Sequence, residues 1–412
     1  MRRLPALRLL NHRDARIYLA GQILSVLGDS ALWLAMGIWV KQRTGSNSAA
    51  GLVFFAFICG TCLAPLPGLL VDRVRRRPLL ITANLATGAL VCLLLLSGGP
   101  RLWLVYLVMF GYGAGYSLLG SAQTALLPQL LPADLLGAAN SAYQLASSGL
   151  HVVTPLLGAG LLVWVGPGPV IGLDAATFGL AAAAAVALRL REKRPARGAE
   201  PHWAAITAGL RHIVVTPLLR RVVAAVVIGA SVFGFFETVQ FAVVGAGLHR
   251  SPAFLGVLTA AQGGGAVAGG LLAAPVLART SERLLVGSGL LACALSCLAA
   301  TTGQLALVLA GGALLGVCIV WINVGAITLV QRQTPAQLLG RVDAAANVLI
   351  TLPQAVSIAV GAAAIAVLDY RILLAVMAAV MLVAAGYLAR VPGSPVGTAT
   401  REPVAASNRV QR

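Results

Sequence analysis

The chain contains repeated runs of about 20 predominantly apolar residues, the length that a helix needs to cross the hydrocarbon core of a membrane. We count twelve such runs along the sequence. We predict the first six at Ile17–Val40, Ala49–Val71, Leu79–Ser97, Leu102–Leu127, Asn140–Val165 and Pro169–Leu188. We predict the second six at Val222–Gly245, Phe254–Ala278, Leu284–Thr301, Leu305–Val330, Ala344–Leu368 and Ile372–Ala389. The sequence therefore predicts an all-α integral membrane protein with twelve transmembrane helices.

The composition excludes the soluble classes of protein. Of the 412 residues, 59% are hydrophobic and only 10% are charged, whereas an ordinary soluble domain has about 25% charged residues. A soluble enzyme of this length would need polar surface that the chain does not have. The formal net charge is +18, but the basic residues lie between the apolar runs and form no stripe interleaved with aromatic side chains. We therefore expect no nucleic-acid partner.

The basic residues also predict the orientation of the helices. An even number of spans places both termini on one side of the membrane, and short loops rich in Lys and Arg stay in the cytoplasm. All but five of the 30 Lys and Arg residues fall on the side of the termini. We therefore predict cytoplasmic termini in a cell (plasma or inner) membrane. The five exceptions are Lys41, Arg43, Arg101, Arg250 and Arg371.

A long polar segment divides the chain into two halves that repeat each other. We predict an N-terminal cytoplasmic tail at 1–16, a six-helix half at 17–188, a cytoplasmic central loop at 189–221, a second six-helix half at 222–391 and a disordered cytoplasmic tail at 392–412. The six residues Pro132–Gly137 recur with one change as Pro335–Gly340, 203 residues later and again after the fourth helix of a half. This position predicts two pseudo-symmetric halves that arose by duplication.

Three carboxylates lie within the predicted spans. An ionised side chain at a helix centre costs about 2.5–3.5 kcal/mol on insertion scales and usually faces a cavity or a partner. Asp29 in the first helix and Glu237 in the seventh occupy the equivalent helix of each half, so we expect them to face each other across a cavity. There they would exchange protons or meet a cationic substrate, unless each makes only a structural hydrogen bond. Asp174 and His151 are further candidates, although Asp174 could cap its helix and His151 could serve packing.

Other polar and aromatic side chains on these helices are candidates to line the cavity. They are Gln22, Trp33, Phe57, Tyr143, Gln144, Phe233, Phe236, Gln240, Trp321 and Asn323. For any one of them, packing or an interhelical hydrogen bond is the alternative. We predict no metal, because Cys59 and Cys62 have no second pair or histidine to complete a site. We also predict no cofactor, since no glycine-rich phosphate loop is present.

The connection between the second and third runs carries a glycine, an acid and arginines in a fixed order. The set is Gly68, Asp72, Arg73, Arg76 and Arg77. This order resembles the signature of the major facilitator superfamily, in which the loop latches the two halves together on the cytoplasmic side. The resemblance covers about residues 11–392 and implies the major facilitator fold. Arg75 stands where the common pattern has glycine.

Two further patterns are similar to those of exporters within that superfamily. The fifth helix carries Gly149, Thr154, Pro155 and Gly158, similar to the Gly-Pro motif of proton-coupled exporters, with Thr154 in place of a glycine. The segment 123–140 resembles the branch that contains macrolide-efflux and enterobactin-exporter proteins. Many drug antiporters have an arginine in the fourth helix at the position of Leu107, so any proton coupling would depend on Asp29 or Glu237.

Together these features predict a secondary transporter and not an enzyme. We expect a proton-coupled exporter of amphipathic small molecules, such as a drug, a macrolide-like compound, a secreted metabolite or a siderophore, that works by alternating access. The expected partners are this substrate, protons and anionic lipids at the cytoplasmic face, and the expected state is a monomer. An importer or lipid transporter of the same fold is the alternative, followed by a scaffold or a membrane enzyme that kept the fold.

Overall fold

The computed structural model of the protein describes residues 12–63, 74–97, 101–189, 202–335 and 338–390, and no strand occurs among them. The first helices are α1 (Arg13–Thr44), α2 (Asn47–Thr61), α3 (Arg76–Cys92, continued by a 3-10 turn Leu93–Leu96), α4 (Leu102–Leu130), α5 (Ala133–Val165) and α6 (Pro167–Ala187). Then come α7 (His202–Val215), α8 (Pro217–Phe233), α9 (Phe236–Ala242), α10 (Leu255–Arg279), α11 (Glu282–Thr301), α12 (Leu305–Gln333), α13 (Leu339–Ala364) and α14 (Tyr370–Ala389). The predicted all-α membrane fold is confirmed.

Ten helical spans in the described part of the chain are long and apolar enough to cross a membrane. Every predicted apolar run overlaps a described helix, because a chain in lipid must satisfy its backbone hydrogen bonds internally and a helix does so within one segment. The second run is described only as far as α2, a shorter apolar helix. Gly45, with a φ of 68°, ends α1, and the Ser46 hydroxyl accepts a hydrogen bond from the Ala49 N–H at the start of α2.

Glycines at helix crossings place the same contacts in both sets of helices. A Cβ at Gly113 of α4 would overlap the Phe57 carbonyl of α2, and a Cβ at Gly316 of α12 would overlap the Gln262 carbonyl of α10. Gly113 and Gly316 are 203 residues apart, the same shift as the sequence repeat. The crossing of α2 and α4 therefore has a counterpart in the crossing of α10 and α12, as a duplication would produce.

Two contacts between the two sets of helices lie near the N-terminal ends of α2 and α10. A Cβ at Gly51 of α2 would contact Thr238 of α9, and a Cβ at Gly256 of α10 would lie 2.9 Å from Ala159 Cβ of α5. Both contacts lie at the end of the bundle opposite the start of α1, which we call the distal end. The start of α1 marks the terminal end, where the Tyr18 hydroxyl donates to the Gln123 carbonyl of α4.

The central polar segment differs from the simple loop that the sequence predicts, because residues 202–215 form α7. Its apolar residues Ile206, Leu210 and Ile213 recur at helical spacing, and the side chain of Ile213 is buried. A Cβ at Gly209 would overlap the Arg341 carbonyl of α13, and His212 Nε2 lies 3.1 Å from the Gln333 carbonyl of α12. The segment therefore packs along the terminal end of the second set of helices.

The seventh span is interrupted next to one of the predicted acids. The α-helical pattern stops at Phe233 and resumes at Phe236, one residue before Glu237. A Cβ at Gly234 in this break would contact Ser357 and lie 2.5 Å from the Gln354 carbonyl of α13. A glycine here lets the two backbones approach closely and places Glu237 at the start of α9.

Candidate functional site

A cavity of about 510 Å³ lies between the two sets of helices near the middle of the bundle. Four helices of the first set (α1, α2, α4 and α5) and four of the second (α8, α9, α10 and α12) contribute to its wall. We call it the central cavity. Asp29 and Glu237 both line it, so the structure brings together the two acids that the sequence places in equivalent helices.

Asp29 is held by one hydrogen bond at each carboxylate oxygen. The Tyr112 hydroxyl of α4 donates to Asp29 Oδ1 over 2.6 Å, and the Ser25 hydroxyl, one turn earlier in α1, donates to Oδ2 over 3.3 Å. The described side chains supply no basic partner to this carboxylate. Among the described groups, the hydroxyl dipoles of Tyr112 and Ser25 balance its charge, and a proton or a cationic ligand can bind to it.

Glu237 has a similar environment on the opposite wall. The amide of Gln240, one turn further along α9, donates to Glu237 Oε2 over 3.3 Å. The rings of Phe233 and Phe236 stack beside it with centroids 6.1 Å apart. No described basic residue pairs with Glu237, so each wall of the central cavity presents one acid without a fixed cation.

Aromatic rings form the wall on the side of Asp29. Trp33 packs against Phe54 and Phe57, each at a centroid distance of 4.7 Å. Phe57 in turn lies 5.5 Å from Tyr112 and 5.6 Å from Tyr116. Of these rings all except Phe54 line the central cavity, which therefore combines a large apolar surface with two carboxylates.

A second cavity of about 470 Å³ adjoins Asp29 on the terminal side. The described residues that line it all belong to α1, α4, α5 and α6, so we call it the N-half cavity. It includes Gln22 and Tyr143, two of the predicted cavity residues. The residues that line both cavities are Asp29, Ser30 and Tyr116.

Asp174 lies behind Asp29 and lines neither of these cavities. It is fully buried in α6, and neither carboxylate oxygen has a hydrogen-bond partner. A Cβ at Gly28 of α1 would lie 2.6 Å from Asp174 Oδ1, so this glycine leaves room for the acid. The cap of α6 is Gly166 without a side-chain hydrogen bond, and the possibility that Asp174 caps the helix is therefore wrong.

Some of the remaining candidates line the central cavity and others do not. Trp33, Phe57, Phe233, Phe236 and Gln240 line the central cavity. Trp321 instead donates its indole N–H to the Gly269 carbonyl over 3.0 Å, and exposed Asn323 donates to the Ile319 carbonyl of its own helix. Neither lines the two cavities, because both side chains are engaged elsewhere. The side chains of Gln144 and His151 lie outside the described part of the structure.

The predicted gating loop is described only in part. Gly68, Asp72 and Arg73 lie outside the described residues. Arg76 begins α3, and Arg77 donates from Nε to the Ala185 carbonyl over 3.0 Å and from Nη2 to the Val186 carbonyl. Arg77 therefore binds the last carbonyls of α6, where a cation interacts favourably with the helix dipole.

The fifth-helix motif borders the central cavity. Pro155 lines it, and a Cβ at Gly158 would lie 2.8 Å from the Ala31 carbonyl of α1, so α5 approaches α1 closely. Thr154 is buried with a hydroxyl that has no hydrogen-bond partner, whereas Gly149 faces open space. Pro155 and Gly158 thus lie beside the part of α1 that carries Asp29.

Sequence reasoning missed the two tyrosines that surround Asp29. Tyr112 and Tyr116 are one turn apart on α4, the first within and the second directly after the glycine-containing stretch Gly111–Gly115. A buried carboxylate needs donors, and the close approach that glycines allow would have pointed to this helix. Among the described residues, no three His, Cys, Asp or Glu side chains form a group that could hold a metal ion.

A bundle of apolar helices with a cavity between two sets of helices is typical of membrane transporters. The chain matches the family described as Major Facilitator Superfamily over residues 18–248, and it belongs to that superfamily. It is 28% identical over 335 residues to the uncharacterized MFS-type transporter y4rN of Sinorhizobium fredii, an alignment that covers 77% of this chain and 80% of the relative. The protein is accordingly a transporter and not an enzyme.

Solved transporter structures share the fold. A POT family transporter in complex with 5-aminolevulinic acid matches with a TM-score of 0.74 at 10% identity, covering 92% of this chain and 95% of that one. An auto-inhibited POT family peptide transporter matches at 0.71 and 16%, covering 93% and 98%. A bacterial homologue of the iron transporter ferroportin in an inward-facing state matches at 0.69 and 17%, covering 92% and 98%. At these identities the likeness concerns the fold alone.

Proposed function

We propose that this transporter is a proton-coupled exporter of amphipathic small molecules, cationic in at least one state. The observation that carries the proposal is the pair Asp29 and Glu237 on opposite walls of the aromatic central cavity. Such a cavity can bind either a proton or a cation at the same acids. Exchange between the two couples export to the proton gradient, in which each charge gains about 2.3 kcal/mol per 100 mV.

The walls of the central cavity support an amphipathic substrate. Its volume of about 510 Å³ falls within the range of roughly 300–1,000 Å³ typical of small-molecule sites. Trp33 and Phe57 offer ring faces that bind cations and apolar groups, while Gln240, Thr259 and Gln262 offer hydrogen-bonding groups. A drug, a macrolide-like compound, a secreted metabolite or a siderophore of matching polarity fits this chemistry.

The proton-binding role falls to the acids and not to a basic residue of α4. Leu107 stands where many drug antiporters have an arginine, and its side chain is 53% exposed on the outer face of the bundle. Asp29 accepts hydrogen bonds from two hydroxyl groups and lines two cavities. No described basic residue pairs with it, so it is free to exchange a proton.

The proposal includes the arrangement in the cell. In this arrangement the transporter is a monomer in the cell membrane, with six-helix halves at 17–188 and 222–391. Both termini lie in the cytoplasm, and anionic lipids bind at the arginine-rich face. The likeness of the segment 123–140 to the macrolide-efflux and enterobactin-exporter branch favours export over import. The arginine bias of the sequence favours the orientation.

Everted membrane vesicles test this function directly. The vesicles are energised to be acid inside, and an acridine dye reports the luminal pH while macrolides, ethidium and siderophores are added one at a time. An exporter releases protons from the lumen as it takes up its substrate, so the dye signal recovers with the matching compound. We expect this recovery with the parent protein and its loss in Asp29→Asn and Glu237→Gln.

Asp343→Asn is the matched control, because it also neutralises a carboxylate but at an exposed position outside both cavities. It should behave as the parent. Equal gradient-driven transport by the parent and by the Asp29→Asn, Glu237→Gln double variant would exclude the carboxylate mechanism. Uptake in the opposite direction would favour an importer of the same fold.

A further inference from the structure

The N-half cavity provides a path to Asp29 that does not pass through the central cavity. Its described wall comes from α1, α4, α5 and α6 and includes no residue of α8 to α14. A substrate that moves by alternating access must pass between the two sets of helices. The N-half cavity therefore lies beside the substrate path, and the described residues that it shares with the central cavity are Asp29, Ser30 and Tyr116.

The two oxygens of Asp29 are divided between these cavities. Oδ1 accepts from Tyr112, which lines the central cavity, and Oδ2 accepts from Ser25, which lines the N-half cavity. The carboxylate thus forms part of the boundary. A proton can reach one oxygen while a substrate occupies the space beside the other.

The wall chemistry of the two cavities differs. Hydroxyl and amide groups follow the N-half cavity along its length, at Tyr18, Gln22, Gln123, Thr124 and Ser147. A water molecule takes about 30 Å³ and needs two to four polar partners, so a space of about 470 Å³ whose wall mixes these groups with apolar side chains such as Leu119 and Phe178 has room for several water molecules beside the polar groups. The central cavity, with its wall of aromatic rings, suits an amphipathic molecule better.

The N-half cavity follows one face of α1 towards the terminal end. Tyr18, Gln22, Ser25 and Asp29 recur every three or four residues and span eleven positions, roughly 17 Å at 1.5 Å per residue. At the far end the Tyr18 hydroxyl donates to the Gln123 carbonyl over 3.2 Å and joins α1 to α4. The cavity therefore connects Asp29 with the region near the start of α1.

We propose that protons reach and leave Asp29 through the N-half cavity, within the first set of helices alone, while the substrate uses the central cavity. This inference rests on the proposed proton-coupled function and adds a separate route for the proton. Loading and release of the proton then require no empty central cavity. Tyr116, which lines both cavities and is more than half exposed, separates the two routes together with Asp29.

Titratable side chains of four other described helices face Asp29. They are Tyr112 and Tyr116 of α4, Tyr143 of α5, Asp174 of α6 and, across the central cavity, Glu237 of α9. The neighbouring α2 contributes the ring of Phe57. Of these acids only Asp29 lines both cavities, so a proton that arrives through the N-half cavity meets this carboxylate first.

A plug in the N-half cavity tests the separate route. Gly120 lines that cavity, and a Cβ built there has no atom within 4 Å, so the side chain of Gly120→Leu starts in open space and narrows the cavity. Gly179→Leu is the matched control, since Gly179 also has nothing within 4 Å but lies on α6 away from both cavities. Gln22→Leu is a second variant that makes the same route apolar.

The probe is ethidium in proteoliposomes, measured in three ways for each variant. Fluorescence gives its binding, exchange without a gradient gives its movement, and an imposed pH difference gives proton-driven accumulation. We expect Gly120→Leu and Gln22→Leu to keep binding and exchange within about twofold while proton-driven accumulation falls by about tenfold or more, a loss of about 1.4 kcal/mol. Gly179→Leu should match the parent in all three.

The other outcomes distinguish an error in the proposed proton route from an error in the proposed coupling. Parent-like proton-driven accumulation in Gly120→Leu would show that the proton takes another route. An equal loss of binding and exchange would show that the N-half cavity belongs to the substrate path, which also overturns the inference. A parent protein that accumulates no ethidium under the pH difference would instead refute the proposed coupling for this probe class, and the inference with it.

Discussion

At the scale of single residues, the hydrogen bond from Tyr112 to Asp29 is the contact on which proton exchange most depends. Hydrogen bonds to charged groups contribute about 1.5–3 kcal/mol, so removing this donor changes how Asp29 binds protons and cations. We predict that Tyr112→Phe lowers proton-driven transport by about tenfold or more, as that energy implies. The ring keeps its contacts with Phe57 and Phe178, and the protein should remain folded.

Tyr106→Phe provides the control for this prediction. Tyr106 lies on the same helix and also donates through its hydroxyl, but to the Ala49 carbonyl over 3.2 Å at the distal end. Transport by this variant should equal that of the parent in the same vesicle assay. If both variants lose the same activity, the effect comes from α4 packing and not from Asp29.

The second residue-scale prediction concerns Asp174. Its carboxylate is fully buried and has no hydrogen-bond partner, so no stabilising contact is lost when a neutral amide of the same shape replaces it. We predict that Asp174→Asn leaves the thermal unfolding midpoint in detergent within about 2 °C of the parent. Differential scanning fluorimetry measures this midpoint.

Glu282→Gln is the opposite case, because Glu282 pairs with Arg332 between α11 and α12. The Glu282 side chain is nearly buried while that of Arg332 is 66% exposed, so replacing the carboxylate removes a solvent-screened ion pair worth up to about 1 kcal/mol, and this variant should unfold at a lower temperature than Asp174→Asn. A large destabilisation by Asp174→Asn would mean that the carboxylate finds a partner in another conformation of the transporter.

At the scale of helices, the crossing of α2 and α4 depends on glycine. A Cβ at Gly113 would lie 2.9 Å from the Phe57 carbonyl carbon and 3.1 Å from the Thr61 nitrogen, and it would overlap the Phe57 oxygen. Backbone atoms cannot rotate away as a side chain can, so the helices must separate. We predict that Gly113→Ala destabilises the protein by about 1–3 kcal/mol, measured as a lower unfolding midpoint.

The internal repeat extends this prediction to the second half. Gly316→Ala should have a similar effect, because its Cβ would overlap the Gln262 carbonyl. Gly172→Ala, at a position with no atom within 4 Å, is the control and should be neutral or stabilising by about 0.5–1 kcal/mol. A loss of stability in all three variants would mean that alanine at any helical glycine is harmful here, whatever its surroundings.

Much of the helix arrangement follows from the sequence, since apolar runs of membrane length determine where a chain can cross a bilayer. The pairing of Asp29 with Glu237 also follows, because both lie in the first helix of their halves. The rotation of each helix does not follow from these patterns. Trp321 and Asn323 therefore appeared to be cavity residues, and the tyrosines of α4 were missed, because all of these helices are apolar on every side.

At the scale of the whole molecule, the two sets of helices are in contact at the distal end, while the N-half cavity extends towards the terminal end. Gly51 of α2 packs on Thr238 of α9, and Phe54 stacks on Phe241 with centroids 6.1 Å apart. Alternating access requires these contacts to separate when the central cavity opens to the distal side. The structure thus represents a state that is closed at the distal end.

A disulfide across this contact should stop the transport cycle. The Cβ of a residue at position 51 would lie 3.0 Å from Thr238 Cβ, which is shorter than the separation of about 3.5–4.5 Å found in disulfides, so the two helices must move slightly apart as the bond forms. We predict that Gly51→Cys combined with Thr238→Cys, with the native cysteines Cys59, Cys62 and Cys92 replaced by serine, loses ethidium transport by about tenfold or more on oxidation. A reducing agent should restore it.

A cross-link within one half is the control. It distinguishes a block of the rocking motion between the halves from a general loss of flexibility. Gly311→Cys with Ala299→Cys joins α12 to α11 at a Cβ separation of 3.0 Å, entirely within the second set of helices. If the halves move as rigid bodies about the central cavity, this bond leaves transport unchanged while the bond between positions 51 and 238 abolishes it. Binding of ethidium from the terminal side should survive in both oxidised proteins, because neither bond enters the central cavity. Transport that continues with the distal contact locked would require a path for the substrate other than between the two halves.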